Sequence, residues 1–116
     1  MRYLLMIYSD EAAEATMSAE DGTMMMAAYD AFGNEQGAKG VLRGGERLRP
    51  TSDATTVRVR DGQLTTSDGP YAETKEQVGG YFLIECDNLD EAISVAAAVP
   101  AAHHGGTVEV RPIWDM

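Results

Sequence analysis

Two segments of this chain carry apolar side chains on both faces of an extended backbone. In residues 2–8, Tyr3, Leu5 and Ile7 take one face while Leu4, Met6 and Tyr8 take the other. In residues 78–86, Tyr81 and Leu83 oppose Phe82 and Ile84 in the same way. A strand that is apolar on both sides is buried on both sides. Both segments therefore belong in the middle of a covered sheet, and the rest of the chain has to supply the covering.

The pattern between and after them reads as follows. Residues 18–36 follow helical spacing through Met25, Ala28, Tyr29, Phe32 and Gln36, with Ser18 as N-cap and Asp21 at N3. Residues 41–48 read as a strand in which Gly44-Gly45 marks a bulge or a close approach by another group. Thr55–Arg60 and Gln63–Ser67 flank Asp61-Gly62, the dipeptide favoured in type I′ turns. That register sets Val59 opposite Leu64 and Arg58 opposite Thr65, so one face of the hairpin is apolar and the other wet. Asn88 and Glu91 form a capping-box pattern before a helix with Leu89, Ala92, Ile93 and Ala96 as its buried stripe, stopped by Pro100. Residues 107–114 make the last strand.

The order is β-α-β, an inserted hairpin, then β-α-β, which is the α+β, ferredoxin-like split arrangement. That fold places its first and third core strands at the centre of the sheet, where the two doubly apolar segments are needed. Its helices cover one face only. A second copy of the chain is the simplest cover for the other, giving a two-fold homodimer.

Composition narrows the function classes. The chain has 116 residues, read as a single domain over residues 1–116, with 9 Lys plus Arg against 19 Asp plus Glu and a net charge of −10. Such a surface repels phosphate backbones and anionic lipid, so neither nucleic acid nor a membrane surface is an expected partner. No run approaches the roughly 20 apolar residues of a membrane span, and the first residues do not form a signal peptide. Cys86 is the only cysteine. It can form no intrachain disulfide, which fits a reducing cytoplasm.

The run Asp68-Gly69-Pro70-Tyr71-Ala72-Glu73-Thr74-Lys75-Glu76-Gln77-Val78-Gly79-Gly80 is the densest in polar groups. With Arg2–Tyr8, Gly44–Leu48, Thr56–Gly62, Leu89–Ala92 and Val108–Pro112, it makes the chain resemble the YCII-related superfamily, specifically its DGPF branch. The resemblance spans essentially the whole chain and implies a dimeric α+β barrel. It also implies that members with a characteristic His and Asp are enzymes of unsettled substrate. Genes of DGPF-like proteins often lie near those for extracytoplasmic-function sigma factors, which implies a regulatory tie. Two departures stand out. Tyr71 replaces the Phe of the tetrapeptide, and residues 18–36 contain no histidine, so of a His–Asp pair only the acid, Asp68, carries over.

Each candidate residue has a structural and a functional reading. Asp68 is a turn starter whose usual backbone partner, two residues on, is removed by Pro70. It must bond elsewhere or face a cavity, where it would serve as a general base. Glu73, Lys75 and Glu76 either surround a small polar ligand, with Lys75 stabilising charge, or ride one exposed helical turn over residues 72–77. Arg43 and Arg47 share a face of the second strand, with Glu46 opposite. They pair with Glu73 or Glu76, or clamp an anion. Tyr8, Tyr71 and Tyr81 offer hydroxyls to a ligand or simply pack. His103-His104 reads as a solvated loop rather than a metal site, Met24-Met25-Met26 as core filling, and Cys86 as a thiol with a raised pKa. The leading expectation is a protein that binds a small molecule and carries out cofactor-independent acid–base chemistry with Asp68 and Lys75. The alternative is a non-catalytic accessory module acting with a protein such as a sigma factor.

Overall fold

A computed structural model describes residues 1–116. A four-stranded antiparallel sheet carries the fold, with β1 (Arg2–Ser9) and β5 (Gln77–Glu85) at its centre, β2 (Leu42–Arg47) at one edge and β6 (Thr107–Pro112) at the other. This is the ferredoxin-like order, and the two doubly apolar segments occupy the central positions the sequence requires of them. β1 is hydrogen-bonded on both sides, with Leu5 opposite Phe82 on β5 and Val110 on β6. Two longer helices are the crossovers of the two β-α-β halves, α2 (Ala19–Ala38) between β1 and β2 and α3 (Leu89–Ala97) between β5 and β6; a short α1 (Glu11–Ala15) follows β1. β3 (Thr55–Arg60) and β4 (Gln63–Asp68) form a separate two-stranded sheet. No helix is long and apolar enough to cross a membrane.

The core lies between the sheet and the helices. Tyr3, Leu5 and Ile7 are buried on that side of β1, against Ile84 of β5 and Phe32, Ala92, Val95 and Ala96 of the helices. The other face of β1, Leu4, Met6 and Tyr8, is only half-buried. Ser18 caps α2 by accepting from Asp21 N at 3.1 Å, and Phe32 of α2 packs on Phe82 with ring centroids 4.8 Å apart and the rings tilted by 48°. α3 starts on Asn88, which accepts from Glu91 N at 3.0 Å, while Glu91 returns a bond to Asp87 N at 2.8 Å.

Both readings of Gly44-Gly45 hold. The β2–β5 register shifts between Leu42 and Gly44, leaving Arg43 as the extra residue of a bulge. A Cβ on Gly45 would lie 2.5 Å from Phe82 Cδ1 and 2.8 Å from Tyr81 O, so only glycine lets the two strands meet under that ring. The hairpin also keeps its expected register, Val59 opposite Leu64 and Arg58 opposite Thr65, with Asp61 at φ 53° and Gly62 at φ 77° as a type I′ turn demands.

Four details correct the sequence reading. α1 is an additional element, held by Asp10, whose carboxylate accepts from Ala12 N and Ala13 N. The buried stripe of α3 runs through Ala92, Val95 and Ala96, whereas Leu89 and Ile93 are exposed. Small alanines let the helix axis approach the sheet, and that rotates the larger residues outward. Met24 and Met26 are exposed, and only Met25 of the three is half-buried. His103 sits in a 3-10 turn (Pro100–His103), its Nε2 2.5 Å from Ala97 O at the end of α3.

Candidate functional site

The connection from β4 to β5, residues 69–76, is fixed by its own polar groups. Gln77 donates from Nε2 to Ala72 O at 2.9 Å and to Thr74 O at 3.2 Å, and Thr74 Oγ1 donates to Glu76 O at 2.5 Å. The start of the loop is tied to β3, where Thr56 Oγ1 donates to Gly69 O at 2.9 Å. Its end is tied to β6, where Thr107 Oγ1 donates to the Glu76 carboxylate at 3.1 Å. Residues 72–77 are therefore not a helical turn. A side-chain amide has taken the carbonyls that a helix would have given to backbone N–H groups.

Facing this loop is a second polar clasp. The Glu11 carboxylate of α1 accepts from Thr51 N at 2.9 Å and from Thr51 Oγ1 at 2.6 Å, joining segments forty positions apart. Charge-assisted bonds of this kind are stronger than neutral ones. They hold α1 and the segment after β2 as the walls of two adjoining clefts.

The first cleft, about 460 Å³, is wide open to solvent and is lined mostly by polar residues, Asp10, Glu11, Glu73, Thr74 and Lys75 among them. The second, about 410 Å³, is half apolar, with Tyr8, Leu48, Tyr71 and Val78 beside Arg49 and Glu76. Thr51, Pro70, Thr74 and Gln77 line both. The loop is the partition between them.

Of the residues singled out in the sequence, Glu73 and Lys75 reach the first cleft, and Tyr8, Tyr71 and Glu76 the second. Asp68, Arg43, Glu46 and Tyr81 line neither. Asp68 is exposed at the end of β4, opposite Thr55. Arg43 pairs with Glu85 at 3.4 Å rather than with Glu73 or Glu76, because the bulge turns it toward the end of β5. Glu46 is exposed on β2, opposite Tyr81. The sequence reading missed Asp10, Glu11, Thr51 and Gln77. Asp10 before Glu-Ala-Ala was legible as a cap; Thr51 offered no signal, since its role depends on a tertiary bond. No group of three or more His, Cys, Asp or Glu is disposed to hold a metal ion.

Two side chains away from the clefts titrate abnormally. The Cys86 thiol is pushed up, first by burial and then by the Glu91 carboxylate, with Asp87 a smaller contributor. Its Sγ donates to Asn88 O at 3.5 Å. The direction matches the sequence expectation, but burial rather than the adjacent aspartate is the main cause. Tyr29 is also raised, chiefly by burial.

The whole chain, residues 1–116, matches the model of the YCII-related domain. This protein belongs to the YCII-related family. It is similar to the uncharacterized protein R00369 of Rhizobium meliloti (strain 1021), with 38% identity over 114 residues, covering 97% of this chain and 92% of that one. Membership assigns this YCII-related protein no reaction, since one fold hosts many functions.

Proposed function

We propose that this YCII-related protein, assigned to the DGPF branch on its Asp68-Gly69-Pro70-Tyr71 run, is a cytoplasmic homodimer that binds a small molecule at the loop from Gly69 to Glu76. One observation carries the reading: two clefts of about 460 and 410 Å³ flank that loop and share four residues. Small-ligand sites fall in this range and combine an apolar wall with a few placed polar groups. Tyr8, Leu48, Tyr71 and Val78 supply the wall. Glu73 and Lys75 supply charge, and neither is engaged in an ion pair. The bonds from Gln77 pre-order the loop, so a ligand loses little affinity to ordering it.

Asp68, the expected proton carrier, lies outside both clefts, so the reading is one of binding. A proton-transfer step, if the ligand requires one, falls to Glu73 with Lys75 stabilising charge. The homodimer rests on the sheet: helices cover one face, and the other presents Leu4, Met6, Tyr81 and Leu83 half-buried. A lone, buried, free thiol supports the cytoplasmic reading.

A thermal-shift screen of metabolites tests the proposal. A ligand should raise the melting temperature of wild type by several degrees and lose that effect with Lys75→Met or Tyr8→Ala. No shift from any small molecule would overturn it and favour the accessory module acting with a sigma factor or another protein.

A further inference from the structure

We infer that the β3–β4 hairpin is a dimerisation arm, whose face of Val57, Val59 and Leu64 packs against a second copy of this chain. The inference rests on the homodimer reading and adds to its sheet-face contact a second one, at the arm.

The hairpin is a regular ladder of six residue pairs, yet it is bonded to no other strand. A lone two-stranded hairpin is marginal in water and needs packing against something else. Alternation places Val57, Val59 and Leu64 on one face, and they are 59%, 58% and 68% exposed. The arm's contacts with its own chain lie on the opposite face, where half-buried Thr56 bonds Gly69 O and the Arg58 guanidinium lies over the Tyr71 ring, though the rest of that face is exposed as well. The apolar face is thus directed away from the only neighbour the protomer provides.

The dimensions indicate how much surface remains to be covered. The protomer exposes 8191 Å², against about 6200 Å² for a compact monomer of this mass. Its radius of gyration is 16.0 Å, against about 13 Å for a compact domain of this length. The excess, about 2000 Å², matches what one subunit of an obligate dimer hides, roughly 1000–2500 Å².

Charge selects the occupant. The arm, residues 55–68, carries Arg58 and Arg60 against Asp61 and Asp68 and is neutral, on a chain with a net charge of −10. Two copies of so acidic a chain repel each other, and they meet at least cost where the surface is uncharged. A basic partner protein would gain nothing at this arm and more at the acidic surface elsewhere.

Light scattering on size-exclusion fractions across micromolar concentrations tests the inference with wild type, Val59→Asp/Leu64→Asp, and Thr65→Asp on the opposite face. Wild type and Thr65→Asp should be dimers, and the double variant should weaken dimerisation on the order of a hundredfold or more. A dimeric wild type with an equally dimeric double variant overturns the arm and leaves the homodimer standing. A monomeric wild type overturns both and frees the arm for a different protein. Should the double variant misfold, hydrogen exchange of residues 55–68 in wild type decides. Protection that rises with protein concentration supports the arm, and protection independent of concentration overturns it.

Discussion

The guanidinium of Arg58 on β3 stands 5.6 Å from the centroid of the Tyr71 ring. The contact joins the hairpin to the loop between the two clefts, so the position of one depends on the other. Cation–π pairs at exposed sites contribute about 0.5–1 kcal/mol. Tyr71 is 80% exposed, so its role is orientation of the arm rather than core stability.

Replacing Tyr71 by Phe should keep this contact, and replacing it by Ala should remove it. The side-chain protons of Arg58 should show a ring-current shift by NMR in wild type and Tyr71→Phe. That shift should vanish in Tyr71→Ala with the core resonances unmoved.

Gly45→Ala should be the most damaging single methyl group in the sheet. It would drive a carbon into the Phe82 ring and Tyr81 O, and Phe82 is the residue on which Phe32 packs. Overpacking of this kind costs about 1–3 kcal/mol. Urea unfolding should show that loss, accompanied by a changed near-UV aromatic spectrum.

Gln36 presents the opposite case. It is 3% exposed on the inner face of α2, and its Oε1 is buried with no hydrogen-bond partner. An orphaned buried acceptor costs about 1–3 kcal/mol. Gln36→Met, of similar shape, should raise stability by about 1 kcal/mol in urea unfolding; a loss would mean that the oxygen has a partner.

How far these positions could be read from the sequence differs for physical reasons. β1 and β5 were legible as central strands because both of their faces are apolar, and the hairpin register because Asp61-Gly62 admits one turn. α2 announced itself through the Ser18 cap and the Phe32–Gln36 stripe. The partner of Arg43 was hidden by a bulge that breaks strict alternation. The face of α3 was hidden because Ala92, Val95 and Ala96, not the larger Leu89 and Ile93, approach the sheet. The clefts were hidden because residues 8–12, 48–54 and 70–78 meet only in three dimensions.

Cys86 should be a slow thiol. It is 7% exposed and its pKa is raised by burial and Glu91, so its thiolate fraction near neutrality lies below that of a free cysteine. Below the pKa, thiolate grows about tenfold per pH unit. Alkylation of the native protein should therefore still be accelerating at a pH where a free thiol has levelled off. In urea the rate should rise by at least about tenfold at pH 8 and follow the ordinary cysteine profile.

The sheet order also governs how this chain must be made. β1 leaves the ribosome ahead of its partners, since Tyr3 pairs with Ile84 and Pro112, which follow it much later in the sequence. Its doubly apolar faces must wait, unpaired, until β5 and β6 have followed it. Contacts of such sequence separation slow folding and leave sticky segments bare in the interval. The strand that anchors the finished molecule is thus a hazard to the nascent chain while it waits, and a segment for a chaperone to shield.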